Sequence, residues 1–172
     1  MRLLRFGLIS FIVLFLLITG ISLFIPSHVI ISKAINIKAG NDSVMAQIKD
    51  ASKWKNWQPG MDTSRLLYIE GVVKGVVLDD KDPANPVYIM IDKTSVDEVR
   101  AQFITKKMKP VITGWKTITY PNNDSVTVQW YMDFHLRWYP WEKFGSLLLE
   151  KSHGARMEQG LTNLKKLLQS SR

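Results

Sequence analysis

Cysteine is absent from the 172 residues of this chain. Its absence excludes disulfide frameworks, thiolate nucleophiles, cysteine-ligated zinc and iron–sulfur sites, and lipoprotein anchoring through an N-terminal cysteine. Charge is also sparse, since only 22% of the residues are charged while 46% are hydrophobic. This balance excludes a disordered chain, and the length suits one domain with a single core.

The short motifs of nucleotide-binding proteins, serine hydrolases and zinc proteases are missing as well. The sequence contains no G-x-x-x-x-G-K-[ST], G-x-G-x-x-G, G-x-S-x-G or H-E-x-x-H. The net charge is +8, and Lys106, Lys107 and Lys109 lie close together. Because lysines at a strand edge more often protect it from aggregation than bind phosphate, we expect no nucleic-acid partner. We also expect no cofactor and no metal site.

A long hydrophobic run is present at the N-terminus. Residues 6–25 carry no charge, and a helix of that length spans about 30 Å of hydrocarbon. Arg2 and Arg5 precede it, so the positive-inside rule places the N-terminus in the cytoplasm and the domain on the outer side. A cleaved signal peptide is the alternative, but the run is too long and Ile25–His28 is a poor cleavage site. The sequence therefore predicts a transmembrane anchor at residues 1–26 and one domain at 27–172.

The remaining pattern predicts an α+β domain. Apolar side chains alternate from Val29 to Ile37, as in a strand with one buried face, and helical spacing follows at residues 44–48. Trp54 and Trp57 belong to one more helical turn, and we expect the pair to be partly buried. Between residues 65 and 136, runs rich in valine, isoleucine, threonine and aromatics are broken near Asp79–Pro83, Ser95, Lys109–Pro110 and Pro121–Asp124, which indicates an antiparallel meander.

The clearest strand runs from Val126 to Trp138. Its even positions are almost all large and apolar, and its odd positions are mostly polar. A slip of one residue would expose three large aromatics, so something must cover the apolar face. The apolar set is Val126, Val128, Trp130, Met132, Phe134, Leu136 and Trp138.

The segment from Pro140 to Gln169 predicts the covering element, an amphipathic helix of about 30 residues. Apolar side chains recur at intervals of three and four, except at residues 151–155, where small or polar groups replace leucine. A glycine at position 154 costs roughly 1 kcal/mol of helix propensity relative to alanine. Either the sheet approaches the helix closely there, or a space is left beneath it.

Three segments resemble the SRPBCC superfamily, which includes START-like lipid-binding domains and polyketide cyclase or dehydrase-like proteins. Ile35–Ala39 is similar to the family's first strand, Trp54–Pro59 to its W-x-x-W-x-P segment, and Met157–Lys165 to the G-L-x-N-L-K helix of bacterial members. The resemblance covers about residues 29–169. It implies the helix-grip fold, a curved antiparallel sheet wrapped around a long C-terminal helix, here preceded by a single transmembrane helix.

The resemblance also implies a mostly apolar pocket between sheet and helix. One wall would be formed by strand residues and the other by helix residues, and a hydrophobic small molecule or lipid would be the partner. A filled core without a cavity is the alternative. The implied lining is Trp130, Met132, Phe134 and Leu136 opposite Leu147, Leu148, Met157 and Leu161.

Candidates for acid–base chemistry are few. His153 lies in the irregular middle of the helix and could face the pocket, where a neutral imidazole would orient a ligand or act as a base. Asp133 and His135 share a strand face, but that face is polar and should point to solvent. We therefore expect a membrane-anchored binding domain for a hydrophobic ligand and no catalytic residues. A cyclase or dehydratase-like enzyme and a pocketless interaction module remain as alternatives.

Overall fold

A computed structural model gives the structure of the protein and describes residues 2–79, 82, 85–106, 108–121 and 124–170. One N-terminal helix precedes a single sheet, and two helices follow the sheet. The helices are α1 (Arg2–Ser22), α2 (Asn41–Ile48), α3 (Pro140–Ser146) and α4 (Leu149–Ser170), with a 3₁₀ helix at Ala51–Asn56. The strands are β1 (His28–Ile37), β2 (Arg65–Ile69), β3 (Val72–Asp79), β4 (Val87–Thr94), β5 (Glu98–Ile104), β6 (Val111–Thr119) and β7 (Val126–His135).

The seven strands of the described chain form one antiparallel sheet in the order β1-β7-β6-β5-β4-β3-β2. The first strand pairs with the last, so that His28 lies opposite His135 and Ile37 opposite Val126. Register shifts between β2 and β3, β3 and β4, and β4 and β5 bend the outer half of the sheet. Helix α4 packs against β1, β7 and the 3₁₀ helix. The predicted α+β fold, a curved sheet around a C-terminal helix, is confirmed.

Helix α1 projects from the domain instead of packing into its core. The stretch Leu4–Ser22 is strongly apolar, and within it only Ser22, the last residue of the helix, is buried. At 1.5 Å per residue the 21 residues of α1 extend about 31 Å, close to the thickness of a bilayer's hydrocarbon core. The helix is thus long and apolar enough to be either one membrane span or a signal sequence.

Four tryptophans form the centre of the core. Trp54 and Trp57 of the segment after α2 pack on Trp115 of β6, with ring centroids 5.2 and 6.0 Å away. Trp130 of β7 adds a fourth ring, 5.5 Å from Trp115. Trp54 donates a hydrogen bond from Nε1 to the Ile48 carbonyl at 2.8 Å. The first two rings are almost completely buried, at 0% and 1% exposed, so the expectation of partial burial was too weak.

Strand β7 has the predicted alternation but is shorter than predicted. Pairing with β1 ends at His135, because β1 begins opposite it at His28 and offers no further partner. Trp138, expected on the buried face, is 61% exposed. Leu136 is partly buried and is still tied to the sheet region, since its N–H donates to the Ser27 carbonyl at 2.8 Å.

The expected single helix of about 30 residues is divided into α3 and α4 at Leu147–Leu148. Both of these N–H groups donate to carbonyls three residues back, as in a 3₁₀ turn that closes a helix. The buried Lys143 fixes α3, because its ammonium donates to the Ile25 carbonyl and to Ser27 Oγ. The position of α3 is therefore set by its hydrogen bonds to the segment that follows α1, whereas the position of α4 is set by its packing against the sheet.

A turn that the sequence analysis missed separates β2 from β3. Glu70 and Gly71 have φ values of 52° and 76°, the left-handed conformations of a two-residue hairpin. The predicted breaks near Ser95 and at Lys109–Pro110 are confirmed. The breaks at 79–83 and 121–124 coincide with strand ends, but Asp80, Lys81, Pro83, Asn122 and Asn123 lie outside the described residues, as does Lys107.

Candidate ligand-binding cavity

A cavity of about 160 Å³ lies between α4 and the sheet. Strands β3 to β7 contribute one wall, α4 another, and the segment after the 3₁₀ helix closes one end. A cavity of this size exceeds the volume of one water molecule, so the core is not filled. The lining is mostly apolar: Met61, Leu78, Ile89, Phe103, Met108, Val111, Trp115, Trp130, Met132, Phe134, Leu149 and Met157, with Gln58, Thr113, His153 and Arg156 as polar members.

The strand wall follows directly from the alternation in β6 and β7. Side chains two residues apart share a face, so Trp130, Met132 and Phe134 all face the cavity. In β6 the same period places Val111, Thr113 and Trp115 beside them, and Thr113 pairs with Met132 in register. This is the concave face that the sequence analysis assigned to β7.

The buried hydrogen-bond donors around the cavity are only partly satisfied within the protein. Trp130 donates from Nε1 to Thr113 Oγ1 at 2.9 Å, and both residues are buried. Among the described residues, by contrast, neither Gln58 Nε2 nor Trp115 Nε1 finds an acceptor, although both atoms are buried. A buried donor without a partner costs about 1–3 kcal/mol, so these two groups would gain from an acceptor within the cavity.

His153 contributes the cavity's titratable imidazole. It is partly buried on α4, and its ring lies 5.5 Å from the ring of Phe134. Burial and then the nearby Arg156 guanidinium lower the pKa of His153 below its usual 6.5. Arg156 donates to the Pro59 carbonyl from Nε and Nη2 at 3.2 and 2.8 Å, which holds its guanidinium at the rim. The imidazole is therefore neutral at pH 7 and can donate or accept one hydrogen bond.

Two glycines determine how closely α4 approaches the sheet. A Cβ on Gly160 would lie 2.7 Å from the ring of Trp130 and 3.2 Å from Pro59, so the helix backbone rests almost directly on the indole. A Cβ on Gly154 would lie 3.1 Å from Lys33 Cε. The two alternatives left open for this part of the helix thus coexist, with close packing at the glycines and the cavity under His153 and Met157.

Lys33 of β1 forms ion pairs with α4 at the point where Gly154 lets the helix approach the sheet. It faces inward on the strand, and its ammonium lies 2.6 Å from Glu150 Oε1 and 2.9 Å from Glu158 Oε1, both on α4. Hydrogen bonds from these two carboxylates raise the pKa of Lys33 above its ordinary value. The edge strand and the helix are thereby joined where the apolar stripe of α4 is interrupted.

A groove of about 430 Å³ continues from the cavity to the surface along α3. The cavity and the groove share four lining residues, so the two spaces are contiguous. The shared residues are Met108, Val111, Phe134 and Leu149, and the rest of the groove is bordered by Lys109, His135, Leu136, Trp141, Glu142, Gly145 and Ser146.

The residues predicted for the pocket fall into three groups. Trp130, Met132, Phe134, His153 and Met157 surround the cavity, whereas Leu136 borders the groove and Leu161 is buried in the core without lining either space. Leu147 and Leu148, by contrast, are 67% and 63% exposed and do not line the pocket, because the chain turns between α3 and α4 at that point.

Sequence reasoning missed the lining contributed by the other strands and by the loop at Gln58–Met61. The alternation of Val111, Thr113 and Trp115 in β6 was visible in the sequence and could have assigned them to the same face as Trp130. For Gln58 no comparable signal exists, because it lies in an irregular segment. Its position depends on the 3₁₀ helix that brings Trp57 into the core.

Comparison with solved structures places this architecture among helix-grip proteins. A START superfamily protein from Mycobacterium smegmatis superposes with a TM-score of 0.63 at 13% identity, over 83% of this chain and 99% of that one. The Zhui aromatase/cyclase from Streptomyces sp. R1128 gives 0.58 at 12% identity, over 81% and 94%. Truncated norcoclaurine synthase from Thalictrum flavum gives 0.59 at 12% identity, over 81% and 92%. At these identities the likeness establishes the fold alone.

At the level of sequence, no curated protein matches the chain. The model of one family does match it, over residues 28–169, from the first residue of β1 almost to the end of α4. That range takes in every wall of the cavity and leaves out α1. The chain therefore belongs to the polyketide cyclase / dehydrase and lipid transport family, within the SRPBCC superfamily.

Proposed function

We propose that this protein is a membrane-tethered domain that holds one hydrophobic small molecule or lipid in the cavity beneath α4. The observation that carries the proposal is the apolar cavity itself, which continues to the surface through a groove and whose lining includes Gln58 and Trp115, two residues with buried donors that lack partners. A space of about 160 Å³ resembles an engineered apolar cavity of about 150 Å³ that binds benzene. A ring or the end of a chain fits inside, and a longer ligand extends along the groove.

The two unpartnered donors define the ligand more closely. Gln58 is 3% exposed and Trp115 is 0% exposed, so water does not reach their side chains freely. A ligand with a carbonyl, ether or hydroxyl oxygen would satisfy Nε2 of one or Nε1 of the other once a small rotation of the side chain brings that donor to the cavity surface, and it would remove the cost of leaving the donor unpaired. A pure hydrocarbon would bury apolar area without doing so. We infer that the preferred ligand is apolar and carries an oxygen acceptor at its buried end.

Charge supports an outer position for the domain, and the short connection after α1 supports a position next to the bilayer. Arg2 and Arg5 lie at the N-terminal end of α1, and the positive-inside rule then favours the outer side for the domain. Only Leu23–Ser27 separates α1 from β1. Lys143 fastens α3 to that connection, which keeps the domain next to the bilayer.

The surface around α3 has the composition of a membrane interface. Trp138, before α3, and Trp141, in its first turn, are 61% and 64% exposed, and Leu147 and Leu148 at the other end of α3 are exposed as well. Tryptophan is enriched at the headgroup level of bilayers, where an apolar ring with a polar N–H is stable. The groove runs along this same helix. A lipid leaving the adjacent leaflet would therefore meet the open end of the groove first.

Binding is tested with the full chain in nanodiscs, using a fluorescent fatty acid as the probe. We expect saturable binding that is lost in Val111→Phe, because Val111 lines both the cavity and the groove and a larger ring blocks their junction. The matched control is Val72→Phe, at an exposed valine on β3. Equal binding by both variants, with both folded by circular dichroism, would place the probe elsewhere and contradict the proposal.

The acceptor requirement has its own test. Gln58→Leu removes the Nε2 donor and keeps the approximate size of the side chain. It should weaken binding of a fatty alcohol or methyl ketone about 5–10-fold, as expected for loss of one hydrogen bond, and leave an alkane of equal length unaffected. If Gln58→Leu weakened binding of the alkane equally, the effect would come from a changed cavity shape and not from the lost donor.

The orientation can be tested cleanly because the chain has no cysteine. Val96, 71% exposed between β4 and β5, accepts a single reporter as Val96→Cys. A membrane-impermeant maleimide should label this cysteine in intact spheroplasts as strongly as in lysed cells. Labelling only after lysis would place the domain in the cytoplasm.

An enzyme of the cyclase or dehydratase type is the second candidate, favoured by the position of His153. A neutral imidazole at the cavity wall is suited to accept a proton from a bound ligand. Among the described residues of the cavity, no carboxylate stands beside it to complete an acid–base pair. If catalysis occurs, His153→Ala should abolish turnover of a polyketide-like substrate while the fatty-acid probe still binds. Unchanged turnover would remove the one candidate base.

A further inference from the structure

A cluster of three potential metal ligands lies where β1 meets β7. His28, the first residue of β1, is directly opposite His135, the last residue of β7, and Asp133 lies two residues earlier on the same strand. Residues at i and i+2 of a strand share a face, so all three side chains emerge on one side of the sheet. The cavity lies on the other side, since it is lined by Phe134.

The ligand atoms of these side chains already converge. Asp133 Oδ1 is 2.7 Å from His28 Nε2 and 3.2 Å from His135 Nδ1, and one such atom from each residue lies within 4.8 Å of the others. Zinc binds imidazole nitrogen and carboxylate oxygen at about 2.0–2.2 Å, so its ligand atoms stand roughly 3–3.5 Å apart in a tetrahedron. The two distances to Asp133 Oδ1 are close to that arrangement, and the two imidazole nitrogens would draw together around the ion from within 4.8 Å of each other.

We propose that His28, Asp133 and His135 form a site for one divalent transition-metal ion, of which Zn²⁺ is the natural probe. Two imidazoles and one carboxylate are a donor set that suits Zn²⁺, Ni²⁺ or Cu²⁺ better than Ca²⁺ or Mg²⁺. The ion takes the place of the hydrogen between His28 Nε2 and Asp133 Oδ1. Each imidazole binds it as the neutral tautomer whose proton lies on the other ring nitrogen, Nδ1 of His28 and Nε2 of His135, and the three metal–ligand bonds replace bonds from the ion to water.

Exposure and support are consistent with a site of this kind. Each imidazole is 53% exposed, which gives an ion access and leaves positions for water, while Asp133 is only 18% exposed and is held between the rings. The two rings stack at 4.6 Å between centroids, so little movement brings both nitrogens to a common point. Because the ligands stand on two hydrogen-bonded strands, their backbones are fixed in advance.

A bound ion would link β1, the edge strand that follows α1, to β7, which lies inside the sheet. His28 follows closely after Ile25, whose carbonyl accepts a hydrogen bond from Lys143 of α3. The site would thus stabilise the edge strand at the junction between anchor and domain. It is separate from the cavity, but His135 also borders the groove that leads to the cavity. Variants at His28 and Asp133, which line neither space, therefore distinguish loss of metal binding from loss of ligand binding.

The experiment is equilibrium dialysis of the untagged full chain in detergent micelles against ZnCl₂, after treatment with EDTA. We expect one Zn²⁺ per chain and a rise in Tm of about 5–10 °C at 100 times the Kd. Asp133→Asn and His28→Gln should each weaken binding at least tenfold, whereas Asp92→Asn, at an exposed carboxylate on β4, should leave it unchanged.

The Tm values of all variants in EDTA establish that each is folded. The absorption of bound Co²⁺ in the wild-type chain gives a second measurement, since it reports nitrogen ligation without any substitution. The proposal is overturned if the wild-type chain binds no Zn²⁺ up to about 1 mM. It is equally overturned if Asp133→Asn binds Zn²⁺ as the wild type does, or if one ion is shared by two chains.

Discussion

Replacement of glycines by alanine in α3 and α4 measures how closely the C-terminal helix lies on the sheet. Each substitution brings the same gain in helix propensity, about 0.8–1.0 kcal/mol. The three positions differ in what the new methyl group meets. At Gly145 it meets nothing within 4 Å, at Gly154 it meets the ends of flexible side chains, and at Gly160 it would stand 2.7 Å from the Trp130 ring.

The cost at Gly160 is the largest because the indole cannot move freely. Trp130 is held by its hydrogen bond to Thr113 and by contacts with Trp57 and Trp115, at 6.1 and 5.5 Å between ring centroids. Overpacking of this kind costs about 1–3 kcal/mol. We therefore expect Gly160→Ala to be destabilising by a net of about 0–2 kcal/mol after the propensity gain.

We expect Gly145→Ala to raise the free energy of unfolding above that of the wild type by up to about 1 kcal/mol. Gly154→Ala should leave it near or slightly above the wild-type value, and Gly160→Ala should leave it at or below that value. Lys33 Cε at 3.1 Å explains the intermediate value at Gly154, since a lysine chain can yield by a few tenths of an ångström. Thermal unfolding in micelles gives the comparison, at about 2–4 °C per kcal/mol. If Gly160→Ala stabilised the chain as much as Gly145→Ala, the helix would not rest on the indole and the description of the cavity's roof would be wrong.

Further substitutions test the polar groups of the cavity. Thr113→Val should cost about 1–3 kcal/mol in the free energy of unfolding, because it leaves the buried Nε1 of Trp130 without its acceptor, and a neutral result would show that this bond is unimportant. His153 should make stability depend on pH. Its pKa is lowered in the folded state, so the unfolded chain takes up its proton first as the pH falls below 6.5, and the contribution of the neutral imidazole is progressively lost. The Tm of the wild type should therefore fall more than that of His153→Gln between pH 7.5 and pH 5, and parallel curves would contradict this.

Much of the fold could be predicted because its strongest signals are local. The alternation in β1 and β7 and the spacing of apolar residues in α4 identified these elements, and the break at Lys109–Pro110 came from turn chemistry. The hairpin at Glu70–Gly71 was missed because the apolar residues on its two sides, Leu66–Ile69 and Val72–Val73, read as one continuous run. The division between α3 and α4 was missed because it depends on a tertiary bond, from Lys143 to the chain beyond α1.

The candidate site was predictable only where its lining residues follow the two-residue period of a strand. Trp130, Met132 and Phe134 follow from β7 alone. The helix residues Leu147 and Leu148 have the right spacing but belong to the turn between the two helices. The proximity of His28 to Asp133, separated by 105 residues, requires the register of β1 on β7, which no local pattern contains.

The most direct test of the central claim is native mass spectrometry of the full chain, purified in mild detergent from a host with ordinary lipids. The account predicts a defined extra mass that dissociates as one apolar, oxygen-containing molecule and disappears in Val111→Phe but not in Val72→Phe. It is contradicted if the wild-type chain has only its own mass and no fatty acid, fatty alcohol or isoprenoid raises its Tm. In that case the cavity beneath α4 would be a packing defect of the fold and not a binding site.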